Sequence, residues 1–498
     1  MPNKKVVIIG SGLGGLSCGV ILSKNGYDVT ILEQGSQIGG CLQCFYRKGA
    51  KFETGMHFVG SAAEGQTLDR ILNYLEVKKD ITLSPLDTKG YDIIQLQGQK
   101  FAFANGKEPF IETLAQHFPH QKDNLKNYFE LVEKVSGASS LHSLKYAESD
   151  IVLNMKYQMV SINETIDQMI DDPLLREVLV GNMPLYAAQK NKTPFALHAF
   201  ITEFYNKSSF RIVGGSDKIA ISMKNTIEKY GGKIITKHKA TKISCNTLAA
   251  NGVIANEDTF FDADYVISDA HPARTLELID TKLIRPAFRK RIMSIPQTPG
   301  CFCVYVEFKE NTVPYMNYNY YGYNTPTTWD SEKSDSSTWP KSYLYMHLCS
   351  NEVQTYATTG VVIAYMNFAD VMQWQGTKQG ARGTSYEDFK MQKANILIDN
   401  IEKNFKGFRQ SIKNFYTSTP LTYLDYTGTQ EGSMYGVAKD VTMPEFCRIT
   451  HKMRIPNVFQ TGQNINSHGI LGVLVGSVVT CSEFLTAQEI YRQITECN

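Results

Sequence analysis

The stretch Val6-Val7-Ile8-Ile9-Gly10-Ser11-Gly12-Leu13-Gly14-Gly15-Leu16 decides the fold. A short β-branched run reads as a buried parallel strand, the glycines as a turn, and residues 16–26 as a helix. Gly10 permits the tight turn, Gly12 lets the backbone approach a pyrophosphate, and Gly15 lets helix and strand pack closely. The helix start then offers unpaired amides and a partial positive charge to the phosphates. A second strand, Asp28–Leu32, leads into Glu33, about twenty residues beyond the glycines, where an acid binds ribose hydroxyls and repels a 2′-phosphate. Strand, glycine turn, helix and acid in this order form a dinucleotide-binding unit.

Working outward, Gly39-Gly40 is followed by glycines at 49, 55 and 60, a density that suggests backbone pressed against a ligand. Residues 64–204 change character, with helical spacing over 109–118, 124–135 and 162–180. The nucleotide-binding grammar returns at Arg211-Ile212-Val213-Gly214-Gly215-Ser216, with a helix to about Tyr230 and strands at 233–236, 240–245 and 261–267. Residues 301–426 read as strand-rich and aromatic, as in Tyr318-Asn319-Tyr320-Tyr321-Gly322-Tyr323. Val458-Phe459-Gln460-Thr461-Gly462 gives a closing strand and turn, and Gly469-Ile470-Leu471 opens a last helix. The expected organisation is a discontinuous nucleotide domain, 1–75 with 205–300 and 440–498, and a second α+β substrate domain, 76–204 with 301–439.

The chain has 498 residues, longer than one typical core, and its 51 basic and 49 acidic residues leave a net charge of +2. That balance gives nucleic acid no attractive field, and no nucleic-acid partner is expected. With a strand at once and no apolar leader or spanning stretch, the expectation is a cytoplasmic protein, touching a membrane surface at most. The ten cysteines are expected to be reduced thiols. Cys41-Leu42-Gln43-Cys44 has no second pair to complete a thiolate site, and no metal-ligand cluster or Ser/His/Asp order stands out.

VVIIGSGLGGL, Glu33 with Gly39-Gly40, FETGMHFVG, RIVGGSDKIA and GQNINSHGILGV together resemble the phytoene desaturase, carotenoid isomerase and retinol saturase group of FAD proteins, over most of the chain. Within it, the segment from Phe52 to Gly60 is most similar to the retinol saturase branch. The resemblance implies a Rossmann-like α/β fold of the glutathione reductase and amine oxidase type, with FAD as cofactor. It places Gly10, Gly12, Leu13, Gly14 and Gly15 at the pyrophosphate, with Gly39 and Gly40 following. Glu33 and Gln34 fall to the adenosine ribose, Ala240 to the adenine, and Gly55, Met56 and His57 to the flavin ring. Gly462 and Gln463 fall to the ribitol, and Ile470 with Leu471 to the pyrimidine side, where a helix start stabilises the charge of a reduced flavin.

Two departures stand out: Cys41 replaces an arginine common after the glycine pair, and Gln463 replaces an acid, though an amide still hydrogen-bonds a hydroxyl. A second nucleotide fingerprint is missing, so no tightly held nicotinamide is expected and the electron partner is open. The implied activity is saturation or desaturation of a carbon–carbon bond in an apolar isoprenoid, by hydride transfer at flavin N5. The alternatives are a redox-neutral cis–trans isomerase, an amine or porphyrinogen oxidase on the same fold, and a lipid-binding protein that keeps FAD as structure. His57, a side chain that titrates near neutrality beside the flavin segment, is the candidate acid or base. Glu53, Tyr186, His198 and His468 stand behind it.

Overall fold

The structure is a computed structural model that describes residues 4–139, 144, 150–332 and 335–497. Its opening residues fold as β1 (Lys5–Ile9), α1 (Leu13–Lys24) and β2 (Asp28–Leu32). They begin a five-stranded parallel sheet in the order Lys233–Ile235, β2, β1, Tyr265–Ser268, Val458–Gln460. The sheet thus gathers strands from three distant parts of the chain. Both of its faces are covered, which is why β1 is an unbroken apolar run. Val6 and Ile8 pack into the core that contains Leu16 and Val20 of α1, whereas Val7 and Ile9 pack into another with Ile243 and Val253. Each such side chain contributes about 1.5–3 kcal/mol by leaving water. Ile243 and Val253 belong to a three-stranded antiparallel sheet, Ala240–Cys245, Ala250–Ala255 and Thr259–Asp262.

A second large sheet has seven strands in the order Ile412–Ser418, Gly300–Phe308, Thr359–Met366, Ser342–His347, Asn319–Tyr323, Asp92–Leu96, Gln99–Phe103. Its pairings are antiparallel except that Asn319–Tyr323 runs parallel to Asp92–Leu96. The helices Lys122–Gly137 and Phe195–Lys207 pack against each other. The fold is an α/β protein with a Rossmann-like parallel sheet and a second, mostly antiparallel unit.

Four local expectations need correction. The stretch 162–180 is two helices, Ile162–Met169 and Pro173–Leu179. Asp172 caps the second, accepting from the amides of Leu174 and Leu175 at 2.9 and 3.0 Å, and Pro173 occupies its first turn. The stretch 261–267 is two strand segments in different sheets, separated at Ala263-Asp264 because Asp264 holds the amide of Lys5 at 2.8 Å and turns the chain. The aromatic region also contains the helix Thr384–Asn404, whose Tyr386, Ala394, Leu397, Ile398 and Ile401 line one buried stripe. Gly469–Cys481 is not the last helix, since Ala487–Glu496 follows.

Candidate functional site

The order of the parallel sheet reverses between β1 and Tyr265–Ser268, and a crevice outside the carboxyl ends of strands at such a point is where α/β folds bind ligands. A cavity of about 780 Å3 opens there and extends to the face of the seven-stranded sheet. One part of its wall is Gly10, Ser11, Gly12, Leu13, Gly14, Glu33, Gln34, Gly39, Gly40, Ala240, Gly462 and Gln463. Gly55, Met56, His57 and Ile470 line it further on. The sequence therefore brings almost its whole expected site to one cavity. Gly15 and Leu471 stand outside the lining. A Cβ on Gly15 would collide with the Gly10 carbonyl, which makes it a packing glycine, and the Leu471 side chain is buried in the core.

Two helix starts meet the cavity, those of α1 and of Gly469–Cys481, and neither carries a side-chain cap. Their first amides remain for a ligand with negative charge. Glu33 is already engaged: it accepts from Ser11 N at 3.0 Å, Ser11 Oγ at 2.6 Å and the amide of Gly35 at 2.6 Å. Its carboxylate thereby fixes the glycine turn, with lone pairs left for a ribose hydroxyl. Cys41 packs its Cβ where a side chain on Gly55 would stand, and burial pushes its thiol up to about 11, so it brings no charge to the cavity. Cys44 is buried beside Ser216 Oγ at 3.8 Å.

His57 sits at the cavity on a short segment fixed from behind. Glu53 Oε2 lies 3.4 Å from its Nδ1, and Glu53 Oε1 accepts from the amide of Ser216 at 3.0 Å. Its Nε2 is buried without a partner. The buried Arg211 donates to the His57 carbonyl at 3.4 Å and to Asn319 Oδ1 at 3.0 Å, and Asn319 donates to Asp92 at 2.8 Å. Of the weaker candidates Glu53 is thus the partner of His57, and the others fall elsewhere. His198 is clamped between the hydroxyls of Tyr128 and Tyr186, both at 2.7 Å, in the helical core, and burial lowers it to about 3. His468 stacks on Tyr435 with ring centres 4.5 Å apart, and burial likewise lowers it to about 3. Neither changes charge near neutral pH.

The other part of the wall comes largely from the strand-rich aromatic region 301–426, although its individual members were not singled out in the sequence. It includes Tyr205, Tyr343, Leu344, Ile363, Tyr365, Tyr423, Met434 and Tyr435. Three of these tyrosines spend their hydroxyls on backbone: Tyr365 and Tyr435 donate to Pro184 O at 2.9 and 3.1 Å, and Tyr423 to Thr54 O at 2.8 Å. What they contribute to the wall is ring surface. Asp269 also lines the cavity unexpectedly, and its position at the end of the strand beside the switch point was the available signal.

The model of the flavin containing amine oxidoreductase family matches residues 13–382. The chain belongs to that family. As a flavin-containing amine oxidoreductase it is an FAD-dependent oxidoreductase, and the uncapped helix starts and glycine-lined crevice fit that cofactor. Over 99% of its length it is 26% identical to all-trans-retinol 13,14-reductase of Homo sapiens, covering 87% of that protein. It is 22% identical to 4,4'-diaponeurosporene oxygenase of Staphylococcus aureus, over 83% of this chain and 88% of the other. Among solved structures, cyclohexylamine oxidase from Brevibacterium oxydans matches with a TM-score of 0.59 over 99% of this chain and 100% of that one, at 14% identity. The last likeness concerns the fold alone. Among the described residues no helix is long and apolar enough to cross a membrane.

Proposed function

We propose that this flavoprotein saturates a carbon–carbon double bond of an apolar polyene such as a retinoid. The observation that carries the reading is the wall on which Tyr365, Tyr423 and Tyr435 turn their hydroxyls into backbone carbonyls, leaving rings and the aliphatic Leu344, Ile363 and Met434 toward the cavity. Such a wall pays no polar desolvation when an apolar chain enters, and offers a polar amine few partners. The relative named as a retinol reductase supports the same substrate class.

Gly10, Gly12, Gly14 and the two helix starts would hold the pyrophosphate and the pyrimidine side, Glu33 and Gln34 the ribose, and Gly55 and Met56 the ring edge. Bound FAD supplies hydride transfer at its N5. The chain's own part is the proton. His57 presents Nε2 to the cavity while Glu53 holds Nδ1, so the imidazole can give a proton to the carbon beside the one that receives hydride. Glu53 orients the ring and Arg211 fixes the main chain under it. The apolar wall keeps water from the same carbon.

Delivery of such a substrate calls for a lipid surface. The helix Phe195–Lys207 is mostly buried, and the apolar exposure lies on Ile151–Gln158, where Ile151 and Val152 are 65% and 80% exposed. That helix is our candidate for peripheral membrane contact, and liposome flotation of wild type against V152E checks it. The catalytic reading is tested by a substrate screen of the reduced protein: polyenes should turn over, and turnover confined to small polar amines would overturn it.

A further inference from the structure

Asp269 occupies the place in this chain where an anionic ligand is expected. Its amide donates to Ile9 O at 2.9 Å, which fixes its main chain at the end of Tyr265–Ser268. Its side chain turns into the glycine turn. A Cβ on Gly12 would collide with Oδ2, and one on Gly14 or Gly462 with Oδ1. A carboxyl of the protein itself therefore lies against Gly12, and against Gly14 together with the Gly462 backbone, where a pyrophosphate would also approach. The carboxyl thus lies against the glycine turn at the start of α1. A bound dinucleotide brings its phosphates to the same helix start, and like charges a few ångströms apart in a buried site do not both persist.

We propose that binding of FAD is coupled to uptake of one proton by Asp269, whose neutral carboxyl then shares the helix start with the pyrophosphate and donates a hydrogen bond toward it. The groups around it leave it as the one that titrates near neutrality. On its own segment follow His271, Arg274 and Glu277; the loop after β2 brings Glu33 and Cys41; residues 10–15 and 461–464 have no titratable side chain. Burial lowers His271 to about 4 and raises Cys41 to about 11, and Glu33 is satisfied by three donors. Burial already pushes Asp269 up to about 7, with the charge of Glu33 acting in the same direction. Protonation at neutral pH is therefore inexpensive, and phosphates nearby make it more favourable.

The consequence is a dissociation constant for FAD that is flat below about pH 7 and rises about tenfold per pH unit above it. The experiment dilutes the holoenzyme at a series of pH values and follows the flavin fluorescence that appears as FAD leaves. Wild type should show the slope, D269N should hold FAD without it, and E33Q should keep it. A flat profile in wild type, or an unchanged slope in D269N, overturns the proposal. Should D269N not fold, infrared spectroscopy of the wild-type holoenzyme above neutral pH decides, since a protonated carboxyl band must persist there and its absence overturns the coupling. Failure of FAD to bind at any pH would overturn the cofactor assignment together with it.

Discussion

The carboxylate of Glu53 lies 3.4 Å from Nδ1 of His57, and the opposite ring nitrogen is buried at the cavity without a partner. A carboxylate–imidazole pair of this kind holds the ring in one orientation. Replacing His57 with Gln should lower kcat for a polyene by about 100-fold or more, with KM little changed. E53Q should lower kcat by about tenfold with KM little changed, whereas a purely packing role would show as lost stability with kcat retained. Steady-state kinetics across pH checks both.

The glycine turn gives a stability test. G15A forces a Cβ into the Gly10 carbonyl, and should cost about 1–3 kcal/mol or more and reduce the flavin content of the purified protein. Gly137 ends the helix Lys122–Gly137 with nothing near a new Cβ, so G137A should be neutral or raise Tm slightly. Thermal unfolding monitored by flavin fluorescence separates the two.

The parallel sheet and most of its ligand edge were legible in sequence because local chemistry dictates them: β1 is apolar throughout, its glycines turn, and Glu33 follows at the right distance. The aromatic strands of the second sheet were legible too, but not which of their residues form the wall, since Leu344 and Ile363 come from different strands and Tyr423 from a helix, and only strand pairing brings them together. Asp269 was visible as a residue but not as a contact, because its partners are the Cα atoms of glycines elsewhere in the chain. The helix Thr384–Asn404 was hidden by the aromatic strands around it, although its buried stripe has helical spacing.

His198 makes stability depend on pH. Its folded value is about 3 against an ordinary 6.5, so the unfolded chain binds the extra proton between these values and stability rises with pH across that window. The contribution is fully present above about 6.5 and is lost as pH falls toward about 3, at roughly 1.4 kcal/mol per unit. Asp92, raised by burial to about 7, acts in the opposite sense below that pH, which makes the difference between variants the clean observable. Urea midpoints of H198Q should show a shallower rise from acid to neutral pH than wild type; parallel profiles would refute the assignment.

The cavity wall predicts a selective defect. I363D places a charge among rings and aliphatic side chains, and should abolish polyene binding while the FAD content stays that of wild type. Y365F removes a hydroxyl already spent on Pro184, so KM for an apolar substrate should hold while stability falls by about 1 kcal/mol. Substrate titrations of the two variants against wild type distinguish a wall that excludes polarity from one that uses the hydroxyl.

The most direct measurement is a single turnover without oxygen: the reduced holoenzyme is mixed with a retinoid, the flavin spectrum is followed, and the product is weighed by mass spectrometry. Reoxidation of the flavin with a product heavier by two hydrogen atoms is expected. A product of unchanged mass with the flavin still reduced would contradict it and make the protein an isomerase.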